Sequence, residues 1–378
     1  ISTDCISDLP VDMQKEYGGG YMGADAELPV FHYDASKHPS YLQALDGKAY
    51  YDYNNDASWG PAFNGQQYLP AYAWDPTDPR FGQTTSWSPQ MNLSDLFRTG
   101  ISNTTNVSFS RSGKNQMTRV SFSNVSRKGI TPNSDAARRY LSVKTQFKPW
   151  ERLKISVDYK YTYRKNHNAA VEGYAELGNA LYSYQQWGHT NLNLKDYENY
   201  KRTDGSHIFW NLTSRDADPT DLGAAFHDNP YAIFNEINTT NTYQWNLFSG
   251  DAELTIWKNL KAGIRVNGNI RSEKMEQTVP VGMFGQVSSY KQEQTSFSDI
   301  QTQGRITWGD RFANDRLTVD AALFFEDRIN NEDLLQGFSR NGLIMNGFEN
   351  LGGSYGDAGG SNNKIKIHEQ SVYGTVTA

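Results

Sequence analysis

The sequence predicts an all-β protein, an antiparallel transmembrane β-barrel present as an incomplete section of about 9–10 strands with long extracellular loops. Three observations predict it. Several stretches alternate apolar and polar residues over membrane-crossing lengths. Charged residues recur on one face of strand after strand. The connectors between strands alternate short and long along the chain.

The stretch from Leu153 to Arg164 shows the first two together. Leu153, Ile155, Val157, Tyr159, Tyr161 and Tyr163 alternate with Lys154, Ser156, Asp158, Lys160, Thr162 and Arg164. Side chains alternate faces along a strand, so one face is apolar or aromatic and the other polar. A strand of roughly 9–11 tilted residues crosses a bilayer, and tyrosines gather at the membrane–water interface. The aliphatic residues therefore face lipid, and Lys154, Asp158 and Lys160 face a wet lumen.

The other strands are read at 102–111, 117–126, 138–147, 242–256, 260–271, 289–308, 315–329 and 364–378. Arg119, Lys144, Asp251, Glu253, Arg265, Asp320 and Glu326 sit between their apolar positions. Inward charges in so many strands are incompatible with a dry sandwich core and suit a water-filled barrel. The short links are 112–116, 148–152, 257–259 and 309–314, and the long ones 127–137, 165–241, 272–288 and 330–363. Antiparallel strands send successive links to opposite ends, so the long ones share one end, as extracellular loops do in outer-membrane barrels. Residues 1–10 read as the end of a barrel strand, 11–100 as a long extracellular loop, and 101–378 as barrel strands with the loops 165–241 and 330–363.

Composition narrows the class. The chain has 378 residues and a net charge of −6, which gives no support to nucleic-acid binding. Mean hydropathy is −0.71, and no apolar run approaches the roughly 18 residues of a transmembrane helix. Cys5 is the only cysteine, so neither a disulfide framework nor a thiolate metal site is available. Aromatic residues reach 13%, with 23 Tyr and 9 Trp, which suits interfacial girdles and ligand stacking alike.

No catalytic constellation or phosphate loop is present, and no cofactor is expected. Asp52-x-Asn54-x-Asp56 begins like a calcium loop, but Ala57 and Phe63 stand where the glycine and the bidentate glutamate belong, so it reads as a turn with solvated carboxylates. His167, His189 and His227 share one long loop without metal-ligand spacing and read as loop-surface residues.

Several stretches resemble the SusC/RagA-like TonB-dependent outer-membrane transporters. Leu9-Pro10 with Gln14-Lys15-Glu16-Tyr17-Gly18-Gly19-Gly20 resembles the segment after that family's first barrel strand. Ser58-Trp59-Gly60-Pro61 with Asn64-Gly65-Gln66 resembles its S-W-G-P motif, the most specific of the set. Leu96–Gly100 with Asn106-Val107-Ser108, Gly129–Asn133, and Asn229-Pro230-Tyr231 follow in family order. Beyond residue 235 the likeness rests on strand pattern. The resemblance implies energised import of oligosaccharides or peptides through the outer membrane, with a SusD-like lipoprotein as lid. The plug domain, the TonB box before it and the later strands have no counterpart in this sequence, so contact with the TonB complex falls to that missing N-terminal part.

Within the loops, Ser58, Gly60, Pro61, Asn229, Pro230 and Tyr231 are expected to shape the backbone. Trp59, Tyr68, Tyr72, Trp74, Trp87 and Trp187 are the candidates for ligand or partner contact, though for Trp59 pinning its own loop is the favoured role. The competing reading is a soluble or surface-anchored β-rich glycan-binding or glycan-cleaving protein. It requires a dry core between sheets and, for an enzyme, a convergent carboxylate pair.

Overall fold

A computed structural model describes residues 1–5, 12–171, 173, 177–312 and 316–378. One ten-stranded antiparallel sheet dominates it. Strand β1 (Ser2–Asp4) pairs with the start of β4 (Gly100–Gly113). The strands then follow in sequence order: β5 (Gln116–Lys128), β6 (Asp135–Trp150), β7 (Leu153–His167), β8 (Asn238–Trp257), β9 (Leu260–Val279), β10 (Ser289–Phe312), β11 (Leu317–Leu343) and β12 (Ser354–Thr377). Two short strands, β2 (Gln67–Tyr68) and β3 (Thr85–Ser86), pair separately within the first long loop. Two helices, α1 (Ala180–Trp187) and α2 (Pro230–Glu236), lie in the second. No described helix is long and apolar enough to cross a membrane.

The register separates the faces sharply. One row of paired residues runs Phe109–Val120–Val143–Tyr159–Phe248–Gly268–Ile300–Ile329. The adjacent row, on the opposite face, runs Ser110–Arg119–Lys144–Asp158–Ser249–Asn267–Gln301–Arg328. Cross-strand partners share a face, so the apolar and charged sets do not mix at this level. Gly268 is required in its row, because the Phe248 ring lies across it and a Cβ would sit 2.1 Å from Cε1 of that ring.

The apolar face is bare. Val107, Phe109, Phe122, Val157, Leu254, Ile264, Ile306, Leu323 and Phe325 all belong to it and all are exposed, Leu323 to 54%. Exposed apolar surface this extensive marks a surface that meets lipid or a partner. The dry core lies in the loops instead, around Trp74, Trp87 and Trp210.

Pairing places the links 114–115, 151–152 and 258–259 at one end of the sheet, and 129–134, 168–237, 280–288 and 344–353 at the other. The segment leading into β4 joins the second set. Three expected boundaries need correction. The link expected at 330–363 shrinks to 344–353, because β11 and β12 stay paired from Asp320–Thr377 up to Leu343–Ser354. Asn330-Asn331-Glu332-Asp333 and the glycines up to Gly360 lack the alternation that marks a strand in sequence, yet ladder hydrogen bonds do not require it. The link expected at 272–288 likewise begins only after Val279. The strand expected at 289–308 continues to Phe312; residues 313–315, the end of the turn expected at 309–314 and the first residue of the strand expected at 315–329, lie outside the described residues. Leu9 and Pro10 of the first resemblance segment also lie outside them. At about 3.3 Å per residue, the 27-residue β11 rises far beyond a bilayer. Its upper half therefore carries the adjoining links well away from the short-turn end of the sheet.

Candidate functional site

The first and second long loops form one packed unit. Trp74, Trp87, Trp210, Tyr51, Tyr53, Tyr68, Tyr184 and Tyr197 are its largest fully buried side chains. The indole N–H of Trp74 donates to Tyr53 Oη at 2.9 Å, and that of Trp87 to the Pro61 carbonyl at 3.2 Å. Asn191, from the second loop, donates through Nδ2 to Tyr68 Oη at 3.0 Å. Arg80 stacks over Tyr72 at 3.7 Å from the ring centre while pairing with Asp78 at 2.8 Å.

This corrects the contact expectation for Tyr68, Tyr72, Trp74 and Trp87: each is buried and presents no open face to a ligand. The reason is packing: loops this rich in aromatic residues collapse on themselves and bury the largest rings. Trp59 differs. It is 61% exposed, its ring tilted against Tyr17 at 5.7 Å, while its backbone is held by hydrogen bonds with Gly20 and Gly23. Trp187 is half-buried, with its indole N–H on Tyr182 Oη at 3.3 Å.

Of the motif residues, Ser58 and Tyr231 join the two loops, and the others brace their own. Ser58 Oγ accepts from the Thr190 amide at 3.2 Å. Gly60 passes so close to an earlier turn of its own loop that a Cβ would lie 2.2 Å from the Gly19 carbonyl oxygen. Pro61 offers its carbonyl to both Gly18 N and Trp87 Nε1. Asn229 is fully buried; its Oδ1 caps α2 through the Tyr231 amide at 2.9 Å, and its Nδ2 reaches the carbonyls of Tyr197 and Ile208. Pro230 opens the helix at a position where no amide donor is needed. Tyr231 Oη donates back to the Asp95 carbonyl at 3.1 Å.

His189 is not on the loop surface, as spacing alone suggested, but wholly buried. Burial pushes its imidazole down to about 4, so it is neutral, bridging Tyr51 Oη and the Asn55 carbonyl. Deeper in the second loop, burial works against ionisation of Glu236. Hydrogen bonds from His207 at 3.1 Å and from Lys201 outweigh it and hold the carboxyl down to about 2. Asp228 has no such compensation. Burial raises it to about 6, although its Oδ1 accepts the Phe284 amide at 2.8 Å and so ties the 280–288 loop to the loop unit.

That contact supports a surface the sequence did not reveal. Asn346 clamps Val281 from both sides, accepting its amide at 2.6 Å and donating to its carbonyl at 2.9 Å. The joined tips of 280–288 and 344–353 expose Val281, Phe284, Val287, Ile344, Met345 and Phe348. A cavity of about 760 Å³ opens between α1, α2 and the adjoining strand tops, lined in part by Phe97, Leu181, Tyr182, Ile233 and Phe234. Neither feature has a sequence signature, since each is assembled from links far apart in the chain.

The polar face of the sheet is a network. Arg305 bridges Asp251 at 2.8 Å and Glu253 at 3.3 Å, Arg265 also holds Asp251, Lys261 holds Glu253, and Arg328 holds Asp299. Lys154 lies on this face opposite Glu253. Asp158 and Lys160 border a hollow of about 320 Å³ with Ser249, Asn267, Asp299 and Gln301. Nearer the loops, a recess of about 410 Å³ gathers Arg164, Asn166, Asn241, Glu273 and Glu293, with Arg164 stacked over Tyr243. Among the described residues no three His, Cys, Asp or Glu side chains gather as metal ligands.

No family profile matches the chain, and no curated protein matches it either. Among solved structures, a chain of the RagAB peptide importer in its closed-closed state is similar, with a TM-score of 0.51 and 10% identity over 83% of this chain. A chain of the same importer in its open-open state gives 0.52 and 14% over 75%. This chain spans 32% and 30% of those two chains. At such identity the likeness is one of fold.

Proposed function

We propose that this chain is part of an outer-membrane transporter that imports peptides or oligosaccharides together with a surface lipoprotein. The observation that carries the reading is the bare apolar face of the sheet, set against a dry core that lies entirely outside it. A soluble sandwich would bury that face, and a membrane barrel turns it to lipid. The opposite face, lined with ion pairs and open hollows, suits a hydrated path. The fold likeness to the RagAB importer and the ordered sequence motifs support the same assignment.

Within this reading the loop end receives the substrate. The recess holding Arg164, Glu273 and Glu293 offers both charge signs, which matches the termini and side chains of a peptide better than a neutral glycan. The apolar tips around Phe284 and Met345 suit a lipoprotein lid, since exposed apolar surface beside a pathway mouth marks a docking site. Energy comes from a TonB complex acting on parts of the protein outside this stretch. The alternative, a soluble glycan-binding or glycan-cleaving protein, lacks the dry inter-sheet core it needs.

The test is uptake by cells lacking the full-length protein. Loss of labelled oligopeptide or oligosaccharide import, restored by the intact gene, is expected, along with co-purification of a lipoprotein from detergent extracts. A folded full-length protein that stays in solution without detergent would refute the assignment.

A further inference from the structure

Just above the apolar band, the lipid-side face becomes basic. Three successive outward rows cross β5 to β9 at this level. They run Asn124–Arg139–Tyr163–Gln244–Ser272, then Ser126–Ala137–Lys165–Thr242–Lys274, then Lys128–Asp135–His167–Thr240–Glu276. The rows immediately below carry Phe122, Leu141 and Tyr161, then Val120, Val143 and Tyr159, all apolar or aromatic. Four cations, Lys128, Arg139, Lys165 and Lys274, thus meet two carboxylates, Asp135 and Glu276.

The two acids offset the patch only in part: Asp135 stands across from Lys128, and Glu276 feels Lys165 as well as Lys274, which leaves two cations in excess. Glu276 is taken up by Lys274 at 3.0 Å and by the Tyr290 hydroxyl at 3.0 Å. Among the described residues, the contact recorded for the Arg139 guanidinium is the Tyr163 ring, 5.4 Å from its central carbon to the ring centre. Among the described residues, Arg139, Lys165 and Lys128 have no carboxylate at ion-pair distance, and all three are exposed. Adjacent strands lie about 4.8 Å apart, so Lys165 and Lys274, on either side of Thr242, stand about 10 Å apart. Arg139 and Lys165 are diagonal neighbours at about 7–8 Å. The hydroxyls of Thr242, Thr240 and Ser126 stand in the same rows.

We propose that this rim holds the phosphates of an anionic lipid headgroup, a phosphorylated glycolipid of the outer leaflet, with Arg139 and Lys165 as principal contacts and Lys274 and Lys128 flanking them. The proposal rests on the membrane reading given above. Depth selects the ligand. The cations lie directly over the tyrosine end of β7, where a lipid places its headgroup when its chains run along Leu141, Val143 and Val157. A dissolved anion has no reason to be met at that level of the lipid side. Unpaired cations beside an apolar wall attract anionic headgroups by roughly 1 kcal/mol each.

The test uses the full-length protein in a nonionic detergent, as wild type, as Arg139→Ala with Lys165→Ala, and as Lys160→Ala, which removes a lysine from the opposite face. Native mass spectrometry reads retained lipid after addition of lipopolysaccharide, of neutral phosphatidylcholine, or of inorganic phosphate as competitor. Wild type and Lys160→Ala are expected to retain lipopolysaccharide equally, and the double variant roughly thirtyfold less. Phosphatidylcholine retention is expected to be unchanged in all three. Insertion of each protein into vesicles, read by heat-dependent gel mobility, separates the two levels of failure. Proteins that insert but retain lipopolysaccharide equally would overturn the headgroup site alone. Displacement of the lipid by millimolar inorganic phosphate would overturn the lipid assignment. Failure of the wild type to insert would overturn the membrane reading beneath it.

Discussion

Replacing Val157 with arginine tests which face of the sheet meets lipid. Val157 pairs with Thr145 on one side and Gly250 on the other, and its side chain lies in the exposed apolar set. The outward positions of β7 run from Leu153 to Tyr163, about 33 Å of strand at about 3.3 Å per residue. Tilted at about 40°, that length spans about 25 Å of depth, the height of a barrel's apolar band. Val157 then sits about 10 Å above the lower edge, close to the midplane. Gly250 offers no partner, and Asp327, the acid in the same row, lies four strands away, about 19 Å. An unpaired arginine at this depth costs about 2–4 kcal/mol, or roughly 30- to 700-fold in the folded fraction. Asp158→Asn changes the adjacent, inward residue beside a hydrated hollow and is expected to cost under about 0.5 kcal/mol. Urea titration of the full-length protein in vesicles, read by heat-dependent gel mobility, measures both. Equal losses in the two variants, or none in Val157→Arg, would refute the face assignment.

The loop unit yields the other predictions. Trp74→Ala removes a fully buried ring that holds Tyr53, and is expected to cost the loop unit about 3–5 kcal/mol while the barrel still inserts; limited proteolysis then cuts within 12–99 and 177–237 together. Gly60→Ala forces a Cβ against the Gly19 carbonyl and is expected to raise proteolysis at the same sites, whereas Trp59→Ala, at an exposed ring, is not. Glu236 has a folded value near 2, below its unfolded one, so its contribution is present above about pH 4.5 and fades as pH falls toward 2; Glu236→Gln should flatten the acid-induced opening of α2 seen by hydrogen exchange over that range. Asp228 is raised to about 6, so the reverse sign holds: packing of 280–288 weakens as pH rises from about 4 through 6. Asp228→Asn is expected to slow exchange of the Phe284 amide at pH 7.5 and remove that dependence.

The sheet strands were legible because their two faces differ in polarity, which imposes a two-residue period along the chain. Tyr159 beside Asp158 is enough to assign both faces of β7. Toward the loop end of the sheet this contrast disappears. The outward side of upper β11 carries Asn331 and Asp333 as readily as Ile329, and the glycine-rich start of β12 looks like loop although it is paired. The fate of the loop aromatics was not legible, because burial is decided by distant partners. Tyr68 is covered by Asn191, 123 residues away, and Gly18 leaves room for the Trp87 ring. Trp59 and Trp74 look alike in sequence, yet one is exposed and the other sealed. The basic rim was hidden for a related reason: Arg139, Lys165 and Lys274 are scattered along the chain and meet only through strand register.

The most direct test of a lipid-facing barrel wall is alternate labelling of β7 in the inserted full-length protein. After Cys5→Ser, single cysteines at each position from 153 to 164 are probed with a membrane-impermeant maleimide and with a lipid-phase quencher. Positions 153, 155, 157, 159 and 161 are expected to resist the aqueous reagent and respond to the quencher, and positions 154, 156, 158, 160 and 162 to do the opposite. Uniform labelling along the strand, or alternation in the reverse phase, would contradict the account.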